Sequence, residues 1–276
     1  MCCVYRNSIG CDELAAKSRS PMILILLLIL FFCGWCIVYF GQSLKRPTIQ
    51  GPVLIVTAHP DDECMFFSPV ILSLLKWNIP VDLLCLSSGN YYGSGRLRCD
   101  ELRRAVDILG IRHHMLICDT KLPDSPRKIW AAGHVQKYIS KAVRKWHSKT
   151  IISFDIFGVS GHSNHCQIHS ALAELPLGVS DVFVYSLKTY DSLLKYCTPL
   201  IVLLALCLER RYVFHVPFSG TLTPHKAMLQ HRSQLLWFRY LYMIFSSYMY
   251  INVLSPLKSR HWGNVMAWMT GRRWTP

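Results

Sequence analysis

Residues 52–63 read Pro52-Val-Leu-Ile-Val-Thr-Ala-His59-Pro60-Asp61-Asp62-Glu63. The opening half is a short β-branched run, which predicts a strand. The closing half sets an imidazole and acidic side chains at that strand's carboxyl end, around a tight turn started by Pro60. A histidine nitrogen and a carboxylate oxygen, from His59 and Asp62, make a suitable partial set for a zinc-type cation. Asp61 is then free to act as a base. A plainer reading has Asp61 and Asp62 capping a helix that begins at Glu63.

Outward from this stretch, strand-like and helix-like segments alternate. Helices are expected over Glu63–Trp77, Leu97–Leu109 (with Gly110 as its stop), Lys128–His147 and Asn164–Leu175. Strands are expected over Val81–Ser87, His114–Cys118, Thr150–Phe154 and Asp181–Ser186. This order predicts an α/β, Rossmann-like fold, a parallel sheet with helices on both faces. In such sheets function collects beyond the strand carboxyl ends, at a topological switch point.

A second polar cluster, Gly161-His162-Ser163-Asn164-His165, follows the strand at Thr150–Phe154. A His-x-x-His pair alone is often surface decoration. Placed after a parallel neighbouring strand, it arrives at the same sheet edge as His59 and Asp62. Three ligands with an open position make a catalytic metal site. His169 competes as a ligand, but a helix beginning near Asn164 carries it away from the strand end.

AHPDDE after an N-terminal strand, followed downstream by GHSNH, resembles the LmbE-like deacetylase superfamily. Within it, the chain is most similar to the N-acetylglucosaminyl-phosphatidylinositol de-N-acetylase family of GPI-anchor synthesis, from about Val53 to Leu254. The string Phe154-Asp-Ile-Phe-Gly-Val-Ser-Gly-His-Ser-Asn-His165 resembles its eukaryotic branch. The resemblance implies that His59, Asp62 and His165 bind a divalent metal, zinc, and that Asp61 is the general base. It implies that His162 stabilises the oxyanion or protonates the leaving amine, with Asn164 orienting His162. Many bacterial relatives carry HPDH, so Asn164 gives up a charge that would favour an imidazolium, and Ser163 replaces Pro. Arg98, three before Glu101, fits a substrate-side Arg-x-x-Glu pattern; an ordinary ion pair is the alternative. The implied reaction removes acetate from a lipid-linked amino sugar.

Bulk composition fits a membrane setting. Hydrophobic residues make up 51% of the 276 and charged residues 17%, and mean hydropathy is +0.25. Met22–Phe40 is uncharged and, at about 1.5 Å per residue, reaches across the hydrocarbon core as one N-terminal transmembrane helix. Its length and the lack of a clear small-x-small site weigh against a cleaved signal peptide. The expected layout is a tail over 1–21, the anchor over 22–40, a linker over 41–51, the deacetylase domain over 52–256 and a basic tail over 257–276. Leu235–Leu254 is apolar and aromatic but interrupted by Arg239. It reads as an interfacial segment or, equally, a buried helix.

The net charge of +14 is dispersed and suits a basic face beside an anionic membrane. No zinc-finger pairing, aromatic RNA-binding signature or basic arm supports nucleic-acid binding. The scattered cysteines and the absence of an Asn-x-Ser/Thr sequon agree with a cytosolic catalytic domain. Cys33-Gly-Trp-Cys36 imitates a redox motif but lies inside the apolar run. The family resemblance implies the endoplasmic reticulum membrane. Two rivals are a deacetylase of a soluble N-acetylglucosaminyl conjugate and an inactive membrane scaffold that keeps only the fold; the intact site residues argue against the second.

Overall fold

The computed structural model describes residues 22–32, 47–125, 127–175, 182–198, 200–201, 204 and 212–257. Its strands are β1 (Val53–Thr57), β2 (Val81–Cys85), β3 (His113–Leu116), β4 (Thr150–Phe154), β5 (Phe183–Leu187), β6 (Val213–His215) and β7 (Ile251–Pro256). They lie in the order β3-β2-β1-β4-β5-β7-β6. β1, β2 and β4 are buried along their whole length, which explains their near-continuous apolar sequences.

β1 is followed by α1 (Asp62–Phe66) and α2 (Ser68–Lys76), β2 by α3 (Gly95–Leu109) and β3 by α4 (Ala132–Trp146). After β4 come α5 (Gly158–Gly161) and α6 (Ser163–Ala173), then α7 (Ser192–Tyr196), α8 (Thr223–Met228) and α9 (Trp237–Phe245). The chain lays β2 and β3 to one side of β1, then returns to lay β4 and β5 on the other. Right-handed crossovers therefore send α2 and α3 to one face and α4 and α6 to the opposite face. The α4 and α6 helices pack on each other there. The gap between β1 and β4 is the switch point. Their register pairs Val53 with Thr150 and Ile55 with Ile152. The loops that leave Thr57 and Phe154 thus start at the same edge.

Three expectations are corrected. The sheet is mostly parallel: β1 to β5 pair as foreseen, but β7 runs antiparallel to β5 and to β6. The Leu235–Leu254 stretch holds two elements, the exposed helix α9 and the buried strand β7, divided at Ser246-Ser247. The helix over Glu63–Trp77 is also broken, at Phe67. Pro69, at the start of α2, has no N–H for the Met65 carbonyl and cannot continue α1. That carbonyl accepts the Tyr242 hydroxyl instead, at 3.0 Å. Asn252 of β7 completes the repair: its amide donates to the Phe66 carbonyl at 2.9 Å and its oxygen accepts the Val70 N–H at 3.1 Å. The C-terminal elements therefore brace the segment that carries the first polar motif.

Of the expected anchor, residues 22–32 form an exposed helix, and 33–40 lie outside the described residues. Among the described residues no helix is long and apolar enough to cross a membrane. The tail over 1–21, Cys33 and Cys36, part of the linker and residues 258–276 also lie outside them.

Candidate active site

The β1–α1 loop folds back on itself through Asp62. One oxygen, Oδ2, accepts the backbone N–H groups of Ala58 and His59 at 2.9 and 2.8 Å. The other, Oδ1, faces His165 Nε2 across 3.4 Å. Burial alone would raise the Asp62 carboxyl, but His165 and His59 beside it hold it well below the usual carboxylate range.

His165, in the first turn of α6, is fixed on two sides. Its ring lies flat on Phe154, with centroids 3.9 Å apart and planes within 3°. Its Nδ1 meets the Gly158 carbonyl at 3.0 Å, which leaves Nε2 as the free nitrogen when Nδ1 carries the proton. Gly158 has φ +57°, and a Cβ there would sit 2.7 Å from the His165 Cβ. Gly158→Ala should therefore push His165 off Phe154 and lower metal affinity roughly ten-fold or more, the range for lost support of a ligand. Metal titration of the purified variant checks this; unchanged affinity would show that the loop yields.

His162 caps the N-terminus of α6, its ring 4.8 Å from His59 and 4.9 Å from His165. Burial, then its neighbours His59 and His165, push its pKa down to about 4. His59 Nε2 meets the Asn164 amide at 3.1 Å and Asp124 Oδ1 at 3.2 Å. Asn164 thus reaches His59, rather than His162 as expected from the resemblance.

These groups fit a divalent ion. His162 Nδ1 and His165 Nε2 are buried ring nitrogens without hydrogen-bond partners, so the fold aims donors at a point it does not itself satisfy. His59, His162 and His165 can bring ligand nitrogens within 4.8 Å of one another, and Asp62 Oδ1 borders the same point. Imidazoles with a carboxylate are a suitable donor set for zinc. Asp62 and His162 compete as third ligand; His59 and His165 belong to either set. His169 is turned away, its Nδ1 3.3 Å from the Phe154 carbonyl.

Asp61 stands beside this cluster in a strained conformation, with φ 105°. Its N–H donates to Glu63 Oε2 at 3.0 Å. Its carboxylate is buried between Arg98 Nη2 at 3.3 Å and Arg239 Nη2 at 3.7 Å. Burial raises its pKa above the ordinary value, although both arginines pull it down. Arg98 is itself buried and also donates to the Pro60 and Gly89 carbonyls. Glu101 does not pair with it, accepting instead from Ser233 N–H and Oγ at 2.8 and 2.6 Å.

All seven residues singled out in the sequence (His59, Asp61, Asp62, Arg98, His162, Asn164 and His165) come together around one cleft of about 800 Å3. Asp124, Lys195 and Arg239, which also line it, were not singled out as site residues. Asp124 had a usable signal: Pro123-Asp124 follows β3, whose carboxyl end opens on the same edge. Lys195 and Arg239 had none, because they enter from elements beyond the parallel core.

A buried aspartate of raised basicity beside converging metal donors, at the switch point of an α/β sheet, is what hydrolysis of an unactivated carbonyl requires. Fold and site define a metal-dependent hydrolase. Residues 54–175 match the family model described as GlcNAc-PI de-N-acetylase. The chain is 41% identical over 230 residues to the N-acetylglucosaminyl-phosphatidylinositol de-N-acetylase of Bos taurus, covering 78% of this chain and 90% of that one. To the Saccharomyces cerevisiae protein of the same name it is 26% identical, covering 90% and 96%. The solved structure of N,N'-diacetylchitobiose deacetylase from Pyrococcus horikoshii shares the fold, with TM-score 0.53 at 16% identity, covering 84% of this chain and 94% of that one. The chain belongs to the N-acetylglucosaminyl-phosphatidylinositol de-N-acetylase family.

Proposed function

We propose that this chain hydrolyses the acetamide of N-acetylglucosaminyl-phosphatidylinositol, giving acetate and glucosaminyl-phosphatidylinositol, an early step of GPI-anchor synthesis. The observation that carries the reading is the pairing of buried Asp61 with the unsatisfied nitrogens of His162 and His165 in one cleft. His59, Asp62 and His165 would hold the divalent ion, zinc in this reading. When bound, it supplies a Lewis acid that polarises a carbonyl and acidifies water. Asp61 takes the proton from the attacking water and, as the C–N bond breaks, returns it to the amine. His162, a weak base in this setting, serves as a neutral N–H donor to the oxyanion. Asn164 and Asp124 fix the His59 ring. Arg98 holds the Pro60-Asp61 turn and faces the substrate across the cleft.

Membrane placement belongs to the same proposal. Residues 22–40 anchor the chain in the endoplasmic reticulum membrane, with the catalytic domain on the cytosolic side. The exposed Leu236, Trp237, Leu241 and Phe245 of the α9 region rest on the lipid interface at the cleft mouth. A soluble substrate would need no such rim.

The test is acetate release from N-acetylglucosaminyl-phosphatidylinositol by the purified full-length protein. Bound metal is quantified before and after dialysis against a chelator. The expected result is about one ion per chain, with a loss of roughly a hundred-fold or more on removal that zinc reverses. Absence of acetate, or turnover indifferent to chelation, would refute the mechanism.

A further inference from the structure

One wall of the cleft carries two cations that the hydrolytic steps do not consume. Arg239 of α9 lies beside Asp61, with its other guanidinium nitrogen 2.8 Å from Met65 Sδ. Lys195 of α7 is half-buried, its ammonium over the rings of Tyr196 and Tyr242 at 5.6 and 5.9 Å from their centroids. No carboxylate pairs with Lys195 among the described residues, and Asp61 is the only one within reach of Arg239 there. Burial, and then the neighbouring Arg239, lower the Lys195 pKa, so the two cations repel one another. Arg239 has Asp61 as a partner, so the charge left without an anion in this partly desolvated wall is that of Lys195.

Their depth indicates which anion. Lys195 is set back from the metal-donor cluster by two ring contacts. Tyr242 meets Phe66 edge-on at 6.2 Å, and Phe66 meets His165 at 5.9 Å. An anion at Lys195 therefore lies two protein rings, Tyr242 and Phe66, away from His165, and a substrate that reaches both needs a spacer. In an amino-sugar inositol phospholipid, the inositol ring is such a spacer, and the phosphodiester lies beyond it. Outward from Lys195, the cleft wall turns apolar through Trp237, Phe238, Leu241 and Phe245, a path suited to acyl chains.

We propose that Lys195 and Arg239 form a phosphodiester subsite that selects inositol-phosphate substrates and sets their depth in the cleft. This rests on the deacetylase reading above for the position of the acetamide, but its test does not need turnover. The probes are glycerophosphoinositol, which has the phosphodiester without acyl chains, and myo-inositol, which lacks the phosphate. Calorimetric titration of the metal-loaded protein should show at least ten-fold tighter binding of glycerophosphoinositol, weakening as salt is raised. Lys195→Met should weaken it about ten-fold, and Lys195→Arg should retain most of it, which separates charge from folding. Equal affinity for the two probes, or an unchanged Kd in Lys195→Met, would overturn the subsite. A second arm measures binding to phosphatidylserine vesicles. If Lys195→Met weakens only that, the lysine serves the bulk membrane surface and the proposal fails. Acetate release is scored separately: tight glycerophosphoinositol binding by a protein that releases no acetate would sink the deacetylase reading and leave the subsite standing.

Discussion

Asp61→Asn should reduce acetate release by about 10³-fold, within the range for removal of a general base, while leaving the bound metal in place. The substitution keeps the size of the side chain and removes its ability to accept a proton. The surroundings make that ability valuable. Asp61 is 5% exposed, so water cannot stand in for it. Burial raises its basicity, and Arg98 and Arg239 beside it pull the other way. Its left-handed backbone is held by the Glu63 carboxylate on its N–H and by Arg98 on the preceding carbonyl. The first support does not touch the Asp61 side chain, and asparagine keeps an oxygen for the Arg98 Nη2 that also donates to Asp61 Oδ1, so the loop should keep its shape in the variant. His165→Ala is the contrasting experiment. It removes a ring stacked on Phe154 and a nitrogen aimed at the metal point, so metal and turnover should be lost together. Metal content and acetate release measured on both variants separate the roles. Turnover of Asp61→Asn within a few-fold of wild type would remove Asp61 from the chemistry and move attention to Asp124, which also borders His59.

The parallel half of the molecule was legible because its constraints are local. A strand buried on both faces reads as an apolar run, and polar residues at its carboxyl end stand out. That is why His59, Asp61, Asp62, His162 and His165 were found from spacing and resemblance. What escaped depends on partners far along the chain. The break at Phe67 was signalled by Ser68-Pro69, but its repair by Tyr242 and Asn252 had no local mark. β7 was hidden because Ile251–Leu254 continues an apolar stretch begun by α9, and composition alone does not show where a helix yields to a strand. His231 lies between Gln230 and Arg232 and reads as surface, yet it is fully buried. The reason for its burial is Glu63, 168 positions away.

That pair yields the largest expected effect on stability. Glu63 and His231 are both fully buried, and His231 Nε2 lies 2.7 Å from Glu63 Oε1. The Cys64 thiol also donates to Oε1, at 3.0 Å. His231→Ala leaves the Glu63 carboxylate in the interior without its main partner, a change that costs about 3–5 kcal/mol when a buried pair is broken. For a domain of this size the melting temperature should fall by on the order of 10 °C. Adding Glu63→Gln should recover part of the loss, because no uncompensated charge remains. The pH dependence carries an independent sign. Burial alone would lower the His231 pKa, but Glu63, with Asp61 and Glu101 further off, raises it above the ordinary value. The charged form is therefore favoured by folding. Its contribution is complete below the unfolded value of about 6.5 and is lost as pH climbs through the higher folded value. Wild type should lose thermal stability across that rise, and His231→Ala should show a shallower slope. Glu63 also accepts the Asp61 N–H, so the single variant should release acetate more slowly even where it remains folded. Melting curves of wild type and both variants at pH 6 and above decide the matter. A single variant that melts with wild type at every pH would show that Glu63 finds another partner, and that the strained turn at Asp61 is held without this pair.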